Sequence, residues 1–185
     1  FTRFVELLDL LEEGGITPDK AYRVKFDPVF KPGSQTIAKR NPDIGCASVN
    51  EPWILEAEKL LRGEILKRGY ETPKPTPLCC MVENPDALVV GVDGRFYKCP
   101  CFIEQEAYCV GSLETGIRDY RDSYGLDVWK NPECLACEYL PLCFGGCRHS
   151  TFLESGSIQG VTCQKPYFDA ALETLVIQDL TLRRL

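Results

Sequence analysis

Ten cysteines fall between residues 79 and 163, and an eleventh stands apart at Cys46. No other feature limits the possible folds of this chain so strongly. Four of the ten occur in "ECLACEYLPLCFGGC", Glu133 to Cys147, with the spacing Cys134-x2-Cys137-x5-Cys143-x3-Cys147. Cys79, Cys80, Cys99 and Cys101 lie ahead of them, and Cys163 follows. An odd total of 11 rules out complete internal disulfide pairing. The opening "FTRFVELLDLLEEGG" threads acidic side chains through an apolar period, unlike the basic start and unbroken apolar core of a signal peptide. A reducing, cytoplasmic location is expected, where structural disulfides are disfavoured. Metal or cluster ligation is then the leading explanation for the thiols.

The rest of the chain organises around this region as an α+β protein. In residues 1–72, Phe4, Val5, Leu7, Leu8 and Leu11 recur at helical spacing over 2–13, and Gly14-Gly15 is a stop signal. Tyr22, Val24 and Phe26 alternate with Arg23, Lys25 and Asp27, which predicts a strand. After a Pro-Gly-Ser loop at 32–34, Asn50 is placed to cap a second helix that has Pro52 in its first turn and ends at Gly69. Helix, strand, helix reads as part of a βα repeat, so the chain is expected to begin inside a larger α/β domain. "ETPKPTPL", 71–78, is a proline-stiffened linker. Residues 73–165 hold one clear hairpin, "ALVVGVDGRFYKC", turning at Asp93-Gly94. Loops and short helices are expected elsewhere in that region, with a metal centre as its staple. Residues 166–185 read as a helix with Phe168, Leu172, Leu175, Val176 and Leu180 on one face, packing back on the body.

A Cys-x2-Cys pair sets two thiolates on one side of a turn, as zinc sites and iron–sulfur clusters both require. Thiolate softness does not separate the two. The chain has one Cys-x2-Cys and one histidine, His149, which reads as a surface or hydrogen-bonding residue rather than a ligand. Small neighbours such as Gly145-Gly146 would let backbone amides approach sulfur and tune a cluster. Two quartets can be drawn from these cysteines, and Cys46 and Cys109 read as plain buried thiols.

The pattern Cys80-x13-Gly94-x4-Cys99, then Cys134-x2-Cys137-x5-Cys143-x3-Cys147, then Cys163, resembles the SPASM domain. That is the cysteine-rich C-terminal extension of radical S-adenosylmethionine (radical SAM) enzymes that modify ribosomally made peptides or proteins. The match spans residues 79 to 163, and residues 1 to 70 look like the last βα units of the radical SAM partial barrel. The resemblance implies two auxiliary [4Fe–4S] clusters. One would take Cys134, Cys137, Cys143 and Cys163. The other would take Cys80, Cys99 and Cys147 with a fourth ligand, for which Cys79 is the local candidate. Adjacent residues of an extended chain point to opposite sides, so Cys101, Cys109, Cys46 or an open iron are the alternatives. The Cys-x3-Cys-x2-Cys motif that holds the radical SAM cluster is absent: Ser150 stands where its third cysteine would follow Cys143 and Cys147. As given, the chain is expected not to cleave S-adenosylmethionine. Its expected role is to transfer electrons or hold substrate beside the rest of such an enzyme or a radical SAM partner protein. Zinc in a structural or interaction module is the rival reading, and a stand-alone electron-transfer subunit is another. The net charge of −6 argues against general nucleic-acid binding, despite the locally basic stretch from Lys20 to Arg40. No apolar run approaches a membrane span.

Overall fold

The computed structural model describes residues 1–21, 23–26, 52–76 and 79–182. They are mixed helix and sheet, in two units. One contains residues 1–21, 23–26, 52–76 and 164–182, and the other residues 79–163.

In the first unit, helix α1 (Phe4–Glu13) packs on α2 (Pro52–Lys67). Leu8, Ile65 and Tyr70 form its buried centre, ringed by Leu11, Ala21, Val24 and Phe26. The alternation half-buries Val24 and Phe26 against this centre and leaves Arg23 and Lys25 exposed. It does not build a strand among the described residues. Arg23 makes an isolated parallel bridge with Glu71, and the Val24 N–H donates to the Glu71 carbonyl at 2.9 Å. Pro73 and Pro75 follow Glu71 and lack the N–H groups that a ladder would need. Tyr22, Pro32 to Ser34, Asn50, Cys46 and the basic residues Lys31, Lys39 and Arg40 lie outside the described residues.

The C-terminal helix α7 (Lys165–Leu182) packs along α2 in this same unit. Phe168, Ala171 and Leu175 are its buried stripe, whereas Val176 and Leu180 are exposed. The stripe continues through polar residues that the apolar pattern could not register. Buried Arg62 of α2 donates to the Leu175 carbonyl at 3.1 Å, to Gln178 Oε1 at 3.1 Å and to Asp179 Oδ1 at 2.7 Å. One turn away, Tyr167 Oη donates to Glu58 Oε2 at 2.7 Å. Burial raises the Glu58 carboxyl above its usual value, while the Tyr167 hydrogen bond and the Arg62 and Lys25 charges oppose the rise.

The second unit is built on a four-stranded antiparallel sheet in the order β1 (Val89–Val90), β2 (Arg95–Tyr97), β3 (Cys109–Ser112), β4 (Gly116–Ile117). The expected hairpin is β1–β2, with Val89 opposite Tyr97 and Val90 opposite Phe96. Its turn is longer than the Asp93-Gly94 pair suggests. Gly91 N–H bonds the Arg95 carbonyl, Gly94 N–H bonds the Gly91 carbonyl, and Gly94 is left-handed. That is a three-residue loop. Strands β3 and β4 extend the sheet beyond what the sequence pattern revealed. β3 bulges between its pairings with Phe96 and Tyr97, which breaks the two-residue period that would have marked it. Its Gly111 (φ 139°) runs so close to β4 that a Cβ there would stand 1.9 Å from the Gly116 carbonyl oxygen.

Short helices α3 (Arg121–Tyr124), α4 (Pro132–Leu135), α5 (Leu140–Cys143) and α6 (Arg148–Ser155) complete the unit. Phe102 is the hub of its core. Rings of Tyr108, Tyr124 and Phe152 surround it at centroid distances of 4.3, 5.9 and 5.6 Å, together with Val82, Val110 and Ile158. No helix among the described residues is long and apolar enough to cross a membrane.

Gly111→Ala is expected to cost about 2–4 kcal/mol, because it combines a backbone clash with an unfavourable φ. Gly116→Ala meets nothing within 4 Å and should cost only the left-handed penalty, about 1 kcal/mol. Urea denaturation of both variants checks the contrast, and equal losses would show that the close approach is not what constrains Gly111.

Candidate metal centres

Three segments carry Cys80, Cys99 and Cys147, and two buried cations tie them together. Cys80 precedes a 3-10 turn, Met81–Glu83. Cys99 follows β2 and precedes a second turn, Pro100–Phe102, whose φ is preset by its leading proline. Cys147 is the N-cap of α6. Lys98 is 1 % exposed. Its ammonium donates to the carbonyls of Asn84 at 2.7 Å, Pro85 at 3.2 Å and Ala87, and lies 4.7 Å from the centre of the Tyr120 ring. The end of β2 is thereby fastened to the chain just past Cys80.

Arg148 is 0 % exposed. Its Nη2 donates to Glu83 Oε1 at 2.5 Å, its Nε to the Gly125 carbonyl at 3.2 Å and its Nη1 to the Gly146 carbonyl at 3.4 Å. Glu83 also accepts the Asp127 N–H at 3.1 Å. A buried charge without such partners would cost several kcal/mol. The demand for them holds Cys147 to the segment that bears Cys80.

These ties bring three of the expected thiols into mutual electrostatic reach. The Cys99 sulfur accepts hydrogen bonds from the Cys101 thiol and the Cys101 backbone N–H, which lower its pKa against burial and against the neighbouring Cys147 and Cys80. Cys79 departs from this group. It is exposed. Partial desolvation of its sulfur, the Glu83 carboxylate and Cys80 all push its pKa up, with Arg148 opposing.

The other quartet is assembled differently. Asn131 caps α4, and its Oδ1 accepts the Cys134 N–H at 3.0 Å. The Cys137 N–H bonds the Cys134 carbonyl at 3.1 Å, closing the Cys-x2-Cys turn. α5 then ends at Cys143 in three left-handed residues, Phe144 (φ 44°), Gly145 (φ 81°) and Gly146 (φ 78°). At Gly146 a Cβ would stand 2.3 Å from the Thr162 carbonyl oxygen, so glycine is required for this close approach. The Thr162 N–H bonds the Gly145 carbonyl at 3.2 Å, and the hydroxyls of Thr162 and Thr151 are 2.7 Å apart. Cys163 is thus carried beside Cys143. Burial raises the pKa of Cys143, and the nearby Cys134, Cys137 and Cys163 raise it further. A hydrogen bond from the Gly145 backbone to its sulfur lowers it. Gly145 therefore gives the amide-to-sulfur contact that its place in the sequence suggested.

No disulfide joins any of the ten described cysteines. Among the described residues, no three Cys, His, Asp or Glu side chains converge on a point that could hold a single metal ion. A tetrahedral zinc with Zn–S of about 2.3 Å needs its sulfurs about 3.8 Å apart. A four-iron cube takes one thiolate at each corner and spreads them wider. Soft thiols with an amide donating to one sulfur are a donor set that a thiolate-bound cluster would use.

Cys109 is buried in β3, its thiol donating to the Gly111 carbonyl at 3.3 Å, in keeping with a plain buried thiol. His149 departs from the expected surface or hydrogen-bonding role. It is buried edge-on to Phe102, and its Nδ1 has no hydrogen-bond partner among the described residues. Its place on the inward side of α6 beside Arg148 accounts for the burial. Sequence reasoning missed Arg148, Glu83 and Lys98. The only available signal was a cation directly beside a cysteine in "KC" and "CR". The chain matches no protein-family model and no curated protein.

Arg148→Met leaves the Glu83 carboxylate buried without its cation and is expected to cost about 3–5 kcal/mol. Adding Glu83→Leu should recover part of that loss, since no uncompensated charge remains. A double-mutant cycle by urea denaturation checks this, and strictly additive losses would show that the pair is not coupled.

Proposed function

We propose that residues 79–163 hold two [4Fe–4S] clusters and serve as the auxiliary electron-transfer and substrate-holding region of a radical SAM peptide or protein maturase, acting in the cytoplasm. One cluster is assigned to Cys134, Cys137, Cys143 and Cys163. The other is assigned to Cys80, Cys99, Cys147 and a fourth ligand. The observation that carries this reading is the sorting of the thiols. Cys143 has Cys134, Cys137 and Cys163 among its electrostatic neighbours, and Cys99 has Cys101, Cys147 and Cys80 among its own. The resemblance to the SPASM pattern implies the same two groups.

When bound, the clusters would supply one-electron acceptors for a radical formed on a substrate. The chain's own residues set the conditions. Gly145 donates its amide to the Cys143 sulfur and Cys101 donates to the Cys99 sulfur, and each stabilises negative charge there. Arg148 and Lys98 hold the sulfur-bearing segments in place and put positive charge beside Cys147 and Cys99 in the chain. The absence of Cys-x3-Cys-x2-Cys assigns cleavage of S-adenosylmethionine to other protein, whether the rest of a longer enzyme or a separate partner.

Anaerobic reconstitution should yield about eight iron and eight sulfide per chain with visible charge-transfer absorption. Cys134→Ser and Cys147→Ser should each remove one centre and leave the other. A colourless protein that binds zinc stoichiometrically, or single variants that abolish both centres or neither, would sink the reading.

A further inference from the structure

The fourth position on the hairpin side is the part of this arrangement that spacing leaves undecided. Cys79 is the nearest cysteine in sequence, but the backbone turns it away. Cys80 has polyproline-like backbone (φ −57°, ψ 135°), in which successive side chains leave the chain about 120° apart, so Cys79 and Cys80 point in different directions. Cys80 faces inward and packs against the core of the unit, as Cys99 and Cys101 do, whereas Cys79 lies outside that core and is exposed. Cys101 is already at the site. The turn Pro100–Phe102 curls it back so that both its thiol and its N–H meet the Cys99 sulfur. The turn is well anchored. The Phe102 N–H bonds the Cys99 carbonyl at 3.1 Å, the Phe102 side chain is fully buried, and Gln105 Nε2 bonds the Cys101 carbonyl at 3.2 Å. Cys101 thus packs against the same core as Cys80 and Cys99, with its thiol at the Cys99 sulfur.

We propose that Cys101, and not Cys79, is the fourth thiolate of the hairpin-side centre, with Cys80, Cys99 and Cys147. The proposal rests on the two-cluster reading and narrows it. Ligation releases the Cys101 thiol proton to solvent and forms one iron–sulfur bond, with no change in oxidation state. The assignment closes the coordination of this centre, so the iron there passes electrons and does not bind substrate directly.

The test uses the full chain, reconstituted anaerobically, as wild type, Cys79→Ser and Cys101→Gly. Cys101→Gly should shift the electron paramagnetic resonance signal of one reduced centre and leave the Cys134-side signal intact, which also reports that the protein is folded. The altered centre should take up an added small thiol, such as β-mercaptoethanol, and return toward the wild-type spectrum. Neither wild type nor Cys79→Ser should respond to added thiol. An altered, thiol-rescued Cys79→Ser would overturn the assignment. So would a Cys101→Gly protein with an unchanged signal, or with a shifted potential but no thiol uptake, since that would make Cys101 only a hydrogen-bond donor. Wild-type protein lacking iron and sulfide would defeat the cluster reading itself, whereas failure of the Cys101 assignment alone leaves the wild-type count of about eight irons standing.

Discussion

The buried guanidinium of Arg148 is the interaction on which the cysteine-rich unit depends. Its strands are two to four residues long, too short for a sheet to impose much order by itself. A fully buried cation imposes order in another way. Each of its donors must find an acceptor, and those acceptors come from Glu83, Gly125 and Gly146. These residues are spread over more than sixty positions of sequence and meet at one side chain. Lys98 repeats the arrangement with the carbonyls of Asn84, Pro85 and Ala87. Thiols on separate loops are thereby held in neighbouring positions without any disulfide among the described cysteines.

The same unit must also keep its two groups of thiols apart. Cys143 and Cys147 are four residues apart in the chain, yet Cys143 is gathered with Cys134, Cys137 and Cys163, and Cys147 with Cys99. The left-handed run Phe144-Gly145-Gly146 makes the division. It ends α5, turns the Gly145 amide onto the Cys143 sulfur, and brings Gly146 against Thr162 before α6 begins at Arg148. Phe144 is the non-glycine member, and its conformation costs about 1 kcal/mol or more. Edge-on packing against Trp129 at a centroid distance of 5.4 Å helps to hold it there. The compact spelling Cys-x5-Cys-x3-Cys thus conceals a change of direction between its last two cysteines.

How much of this was legible depended on the range of the interactions involved. Helices α1 and α2 and the first hairpin are written in local spacing, and the sequence reading reached them. β3 was hidden because a bulge interrupts its alternation, and Gly111 is there for a clearance that only the folded sheet reveals. The face of α7 was misread at Val176 and Leu180 because its seam runs through Gln178 and Asp179, which bind Arg62. The Arg148–Glu83 pair spans 65 residues, and no periodicity announces a contact of that length. The inward turn of Cys101 follows from a 3-10 turn whose onset at Pro100 was visible but whose direction was not.

The arrangement also bears on the order of assembly. Gathering sulfurs opposes their ionisation: the Cys143 thiol is held above its ordinary pKa first by burial and then by Cys134, Cys137 and Cys163. On the proposed reading, ligation at Cys143 must release the proton that the thiol holds. The buried cations are fixed by backbone carbonyls and Glu83, contacts that need no metal. On the proposed reading, the loops are positioned by Arg148 and Lys98 before a cluster arrives. On that reading the order would differ from that of small zinc modules, in which the metal supplies the folding energy and the metal-free chain is unfolded. The contacts of Arg148 and Lys98 fix the loops that carry Cys80, Cys99 and Cys147 by cation burial alone.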